Sequence, residues 1–173
     1  KMSDVRKGES GKTERVVNVE VESSVIKTVE TSSPSVVSIL VSKDVPKGQQ
    51  FIDPFFQDFF GLQIPNNGDG GTEKRQIGGG SGFIVSSDGL IATNKHVVFD
   101  EQATYAVLLN DGSTHSAKVL ARDPVNDLAI VKIDATDLRP IELGDSDKIK
   151  VGQMAIAIGT ALGEFRNTVT VGV

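Results

Sequence analysis

The 173-residue sequence contains no cysteine, and this absence removes three kinds of chemistry at once. A disulfide framework, a thiolate zinc site and a cysteine nucleophile are all excluded. The redox compartment stays open, because a chain without cysteine is compatible with either side of a membrane.

Long runs of one residue type are also missing. Eighteen Lys and Arg stand against 23 Asp and Glu, a net charge of −5, and no basic run is long enough to neutralise a phosphate backbone. We therefore expect no nucleic-acid partner. No apolar run approaches the roughly 18 residues of a transmembrane helix, and residues 1–7 lack the apolar region of a signal peptide. Either the protein is cytosolic or its targeting segment lies outside this sequence.

What the sequence does contain is a succession of short β-branched runs separated by turn signals. Such spacing favours an all-β barrel or sandwich over βαβ units. An Asp111-Gly112 pair predicts a hairpin with a type I′ turn. The predicted strands are 36–41, 83–86, 90–93, 105–109, 116–120, 128–133, 154–158 and 169–173. The pattern stops without a turn after Val173, so we expect a truncated or cleaved piece of a longer protein.

Two stretches in the first half of the sequence, residues 1–33 and 44–76, lack a regular strand pattern. Residues 1–33 are interpreted as a tail, solvated over 1–15, with either a short helix over 24–31 or extended chain before Pro34. Residues 44–76 form a long loop rich in Gly, Asn and Pro that holds five of the eight Phe, at positions 51, 55, 56, 59 and 60. The Phe cluster either packs onto its own domain or forms a contact surface for a partner.

Only two histidines are available for acid–base chemistry. His115 follows a predicted hairpin turn and is expected to be solvated and without a role. His96 follows the strand 90–93 at a strand end, and Asp127 opens the apolar strand 128–133. A carboxylate entering a core strand needs a partner, and a histidine that donates its Nδ1–H would supply one. Such a pair is the orienting half of a nucleophilic triad, although a purely structural pair has the same composition.

Six motifs together resemble the HtrA (Deg) family of trypsin-like serine endopeptidases over about residues 34–173. They are Gly80–Val85, Asp88–Val98 with its Thr-Asn-Lys-His-Val-Val, Asp127–Ile133 with its Asp-Leu-Ala, Leu143–Ser146, Val151-Gly152 and Thr168–Val173. The resemblance implies that His96 is the general base and Asp127 its orienting acid. It favours Asp127 over Asp123, because only Asp127 precedes the Leu-Ala of the family pattern.

The resemblance also implies a chymotrypsin-like double β-barrel, of which this chain supplies the first barrel and the opening strands of the second. It implies a protein quality-control protease that acts on unfolded polypeptides and assembles as trimers or their multiples. The expected location is the periplasm or another place outside the cytoplasm in bacteria, or an organelle, and no cofactor or metal is expected. A membrane anchor would lie outside the sequence. Residues 44–76 match the family's variable regulatory loop.

The departures from the family pattern concern the nucleophile. The family's Gly-Asn-Ser-Gly-Gly motif lies downstream of the Thr-Val-Thr segment and is absent, so no serine is assigned and the chain alone is expected to be inactive. Ser81 mimics such a motif but is expected to begin a barrel strand. Gly159–Gly163 lacks the family's Asn-Pro, and nothing corresponds to a PDZ domain. A noncatalytic barrel that binds a peptide or partner is the competing interpretation.

Overall fold

Helix α1, Ser10–Ser32, is the first element of a computed structural model that describes residues 10–46, 71–161 and 165–173. The predicted tail is helical from Ser10 onward, and the helix is longer than the predicted 24–31. Neither Gly nor Pro occurs at positions 12–33, so no residue there interrupts helical backbone bonding. The helix ends just before Pro34, which disfavours helical backbone in the residue that precedes it.

Six antiparallel strands close into a barrel, which confirms the predicted first barrel. Their side chains alternate between the barrel interior and its outside, as the two-residue period of a strand requires. The interior is filled by branched aliphatic residues that are at most 2% exposed, among them Val37, Ile39, Ile84, Ile91, Val107, Val131 and Ile133. The strands are β1 Val36–Pro46, β2 Thr72–Ile84, β3 Leu90–Asn94, β4 Thr104–Leu108, β5 Thr114–Arg122 and β6 Leu128–Ile133. Around the barrel they lie in the order β1-β2-β3-β6-β5-β4.

The predicted long loop is shorter than 44–76 because β1 and β2 extend into it. Pro46 pairs with Thr72, and Asp44 pairs with Lys74, so opposite charges face each other across the strands. Val45 is 2% exposed, and its burial gives this extension an apolar anchor. The five clustered Phe lie outside the described residues.

The hairpin predicted at Asp111-Gly112 is present, but its turn is not of type I′. A type I′ turn requires positive φ at both central residues, whereas in this turn only Gly112 has it, at 90°. Gly112 N–H donates to the Leu109 carbonyl, and Leu109 N–H donates to Ser113 O. The loop is therefore a tight turn closed by a left-handed glycine.

Strands β7, Ala155–Ala161, and β8, Phe165–Gly172, form a separate two-stranded antiparallel sheet after the barrel. Several apolar side chains around this hairpin are exposed, among them Met154, Val169, Val171 and Val173. In the described part of the chain, no helix is long and apolar enough to cross a membrane.

Candidate active site

His96 lies in a 3-10 turn, Lys95–Val98, that directly follows β3; we call this segment the His96 turn. Its last residue, Val98, is fully buried, and the Arg122 Nε–H donates to the Val98 carbonyl oxygen at 2.7 Å. These two contacts hold the turn against the end of the barrel. The imidazole itself points outward, since 69% of the His96 side chain is exposed.

Asp127 lies immediately before β6, which pairs with β3, so the ladder brings its carboxylate to the His96 turn. The His96 backbone N–H donates to Asp127 Oδ1 at 2.9 Å, and His96 Nδ1 lies 2.7 Å from Oδ2. The Lys95 backbone N–H donates to the Asp127 main-chain oxygen at 2.9 Å. The geometry requires a left-handed backbone at Asp127, with φ of 53°, a conformation that Asp tolerates better than most residues.

The carboxylate fixes the protonation of the ring. An ionised carboxylate can only accept hydrogen bonds, so His96 Nδ1 must carry the proton that it shares with Oδ2. In the neutral imidazole the other nitrogen, Nε2, then has a free lone pair. The pair therefore presents a proton acceptor at an exposed surface, as a general base requires.

Hydrogen bonds to its charged form hold the pKa of Asp127 below the ordinary value. The His96 side chain contributes most, followed by the His96 backbone N–H, with the nearby Lys95 charge adding to them. Burial has the opposite effect but does not prevail, since 45% of the Asp127 side chain is exposed. The partner expected for Asp127 is present, although the carboxylate is not deeply buried.

Asp123, the local competitor for the acid, is engaged elsewhere. Its Oδ1 accepts the backbone N–H of Val125 at 2.7 Å and of Asn126 at 2.9 Å, and Asn126 Nδ2 donates to its Oδ2 at 3.0 Å. These bonds lower the Asp123 pKa and shape the turn that leads to Asp127. Asp123 therefore organises the loop, while Asp127 meets the imidazole.

The remaining sequence candidates lie at other places. His115 lies on β5 and is half-buried rather than solvated, with Nε2 3.2 Å from Ser113 Oγ. Ser81 lies within β2, where it pairs with Ser38 and accepts a bond from Thr93 through its carbonyl oxygen. Among the described residues, no three His, Asp or Glu side chains cluster in a way that could hold a metal ion.

Two residues near the site were not among the sequence candidates. Arg122 supports the Val98 carbonyl, and Asn94 Nδ2 donates to both the main-chain oxygen and Oδ2 of Asp127. Asn94 belongs to the Thr-Asn-Lys-His motif, and its place in that motif was the sequence signal that could have identified it. Arg122 could not be found this way, because its contact spans 24 residues of chain and depends on how β5 meets the His96 turn.

A sequence model of the trypsin-like peptidase domain matches residues 80–173, the part of the chain that carries His96 and Asp127. A Synechocystis sp. protein named as the serine protease HhoB is 44% identical over 154 residues, covering 86% of this chain and 35% of that protein. A Pseudomonas fulva protein named as a DegP-like periplasmic serine endoprotease is 39% identical over 160 residues, covering 84% of this chain and 33% of that protein.

A solved structure of the HtrA-type protease AlgW with a decapeptide superposes with a TM-score of 0.64 at 33% identity, covering 86% of this chain and 44% of that one. The chain thus spans about a third of the length of these curated relatives. The fold corresponds to part of the chymotrypsin-like fold of trypsin-like peptidases, namely one closed barrel and a following hairpin. Within that class, the chain belongs to the HtrA/DegP-like serine protease family.

Proposed function

We propose that this chain supplies the general base, His96, and the orienting acid, Asp127, of a serine endopeptidase. The observation that carries the proposal is the pair of contacts from one residue to the other, Nδ1 to Oδ2 at 2.7 Å and backbone N–H to Oδ1 at 2.9 Å. Two contacts fix both the position and the tautomer of the imidazole, which a nucleophilic triad needs.

In the proposed reaction, His96 Nε2 removes the proton of a serine hydroxyl as its oxygen attacks the peptide carbonyl carbon. The resulting imidazolium is stabilised by the Asp127 carboxylate, and it then gives the proton to the leaving amine. The serine and the oxyanion-hole amides would come from the family's Gly-Asn-Ser-Gly-Gly motif in a longer protein. We call this chain together with those completing residues the extended protein. The 173-residue chain alone should not cleave casein.

The exposed hairpin β7–β8 supports the need for further strands. A two-stranded hairpin needs further packing partners to be stable in water. Here β7 contacts β1 and β2 of the barrel, but the Val169 and Val171 side chains of β8 remain exposed. Additional strands of a second barrel would cover these side chains. They would also place a wall beside His96 and Asp127 and turn the open surface into a cleft.

The wider role is also part of the proposal. A relative whose solved structure is with a decapeptide favours extended polypeptide as substrate, and relatives named as periplasmic favour a location outside the cytoplasm. By family resemblance, the substrates are unfolded proteins in quality control, the assembly is a trimer or its multiples, and any membrane anchor lies outside this sequence. No cofactor is needed for the proposed chemistry.

A fluorophosphonate probe, which phosphonylates activated serines, tests the proposal. The extended protein should be labelled at one serine, and His96→Ala should abolish that labelling because the serine loses its base. His115→Ala is the matched control and should be labelled normally. Absence of labelling in the unmodified extended protein, together with retained peptide binding, would make the noncatalytic binding module the correct account.

A further inference from the structure

The side chain of Asn94, the last residue of β3, contacts two oxygens of Asp127. Its Nδ2 lies 3.2 Å from the Asp127 main-chain oxygen and 3.3 Å from Oδ2. Oδ2 is also the atom that faces His96 Nδ1 at 2.7 Å. Asn94 therefore places a second donor on the oxygen that the imidazole uses.

This second donor matters because the carboxylate is not confined by burial. The terminal torsion of an Asp side chain is broad, and with 45% of the Asp127 side chain exposed, water competes for its lone pairs. The Asn94 amide bridges the main chain and the carboxylate of one residue. Such a bridge opposes rotation of the carboxylate away from His96.

The His96 backbone N–H also restrains the carboxylate, but it does so on the other oxygen, Oδ1, at 2.9 Å, whereas Asn94 donates to Oδ2. The Lys95 ammonium donates to the Pro124 carbonyl at 3.3 Å, and its backbone N–H is bonded to the Asp127 main-chain oxygen. The carboxylate of Asp123 is occupied by residues of its own turn. The side-chain amide of Asn94 is thus placed to set the orientation of Oδ2.

We propose that Asn94 is a positioning residue that holds the Asp127 carboxylate in the orientation that receives the His96 Nδ1–H. In this role Asn94 acts through Asp127, whose main-chain oxygen and Oδ2 its side-chain amide contacts. The effect of Asn94 on catalysis rests on the proposed function. Its effect on the imidazole is a property of this chain and can be measured without any peptide cleavage.

The tautomer of His96 is the direct readout. The chain has only two histidines, so ¹⁵N NMR of the rings at a pH where both are neutral gives two separate signals, with His115 as internal reference. His96 should be mainly the Nδ1–H tautomer in the unmodified chain. Asn94→Ala and Asn94→Leu, the second of which keeps the bulk, should both raise its Nε2–H fraction toward that of Asp127→Asn.

Asn126→Ala is the matched control, because it removes a similar amide–carboxylate bond, to Asp123, from the neighbouring loop. It should leave the His96 tautomer unchanged. An unchanged Nδ1–H fraction in both Asn94 variants overturns the proposal, and so does an equal change in Asn126→Ala, since that would indicate general loosening of the loop.

Kinetics of the extended protein separate this inference from the proposed function. Asn94→Ala should lower kcat and leave KM unchanged, as expected of a residue that acts only through Asp127. If the extended protein shows no His96-dependent cleavage while the tautomer still responds to Asn94, the proposed function fails and the positioning role stands. If cleavage depends on His96 but neither the tautomer nor kcat responds to Asn94, only the positioning role fails.

Discussion

Gly80 lies directly against Val97, the residue that follows His96. A Cβ added at Gly80 would lie 2.6 Å from Val97 Cγ2 and 2.8 Å from Cγ1, closer than packed carbon atoms approach. Val97 is β-branched and cannot easily turn aside. The glycine in β2 therefore creates the space in which the His96 turn sits against the barrel.

Gly80→Ala should destabilise the chain by about 1–3 kcal/mol, the usual cost of forcing extra carbon into a packed site. Val97→Ala should relieve the clash, so the double variant should lose less stability than the sum of the two single variants, by about 0.5–3 kcal/mol. Urea unfolding gives the free energy of unfolding of the unmodified chain, the two single variants and the double variant. Gly144→Ala is the control, since no atom lies within 4 Å of its Cβ position. Strict additivity of the two changes would show that Gly80 has another role.

The Lys43–Asp100 ion pair should make part of the stability pH-dependent. Lys43 Nζ lies 2.7 Å from Asp100 Oδ2, and this bond, followed by the Gln102 backbone N–H, lowers the pKa of Asp100. A carboxyl whose folded pKa is lowered contributes stability that is present above its unfolded pKa, about 3.9, and is lost as the pH falls through the folded value.

Asp100→Asn should therefore lower the Tm at pH 7 and have a smaller effect near pH 2, which lies well below the unfolded pKa of Asp100. Circular dichroism melts at the two pH values provide the comparison. Glu101→Gln is a suitable control, because Glu101 is 85% exposed and its nearest Arg122 nitrogen is 4.0 Å away. An Asp100→Asn effect that is equal at both pH values would contradict an electrostatic role.

The Phe cluster in the sequence between β1 and β2 gives a prediction about assembly. Replacing Phe55, Phe56, Phe59 and Phe60 by Ser should reduce self-association if the cluster forms the contact surface that the sequence suggests, since such surfaces depend on apolar side chains. Sedimentation velocity of the extended protein gives the mass directly. An unchanged mass combined with a lower Tm would favour the alternative that these side chains pack onto their own domain.

Local patterns predicted the barrel strands well, because the apolar residues that alternate along each strand are the ones whose side chains become buried in the barrel interior. Strand β6 was predicted at its observed bounds, and the motif around His96 led to the residue that Asp127 contacts. The ends of elements were harder to predict. The extension of β1 and β2 depends on cross-strand partners such as Asp44 and Lys74, which lie 30 positions apart in the sequence.

The fine structure of the site was also beyond local patterns. Asp127, with its left-handed backbone, accepts hydrogen bonds from Asn94 at the end of β3 and from the His96 turn, and the sequence contains no local signal for that arrangement. The contribution of Asn94 likewise depends on the register in which Asn94 pairs with Leu128. Register is a property of the assembled sheet, so it was available only from the structure.

The most direct test of the account compares kcat for peptide cleavage by Asp127→Asn and Asp123→Asn in the extended protein. Asp127→Asn should reduce kcat by about 10⁴-fold, as the same change does in the trypsin-like triad, because the imidazole then adopts the wrong tautomer. The kcat of Asp123→Asn should stay within about tenfold of that of the unmodified enzyme. The hydrogen bonds described for the Asp123 carboxylate are all to residues of its own turn. A larger loss for Asp123→Asn, or an unchanged kcat for Asp127→Asn, would contradict the assignment of His96 and Asp127 as a catalytic pair.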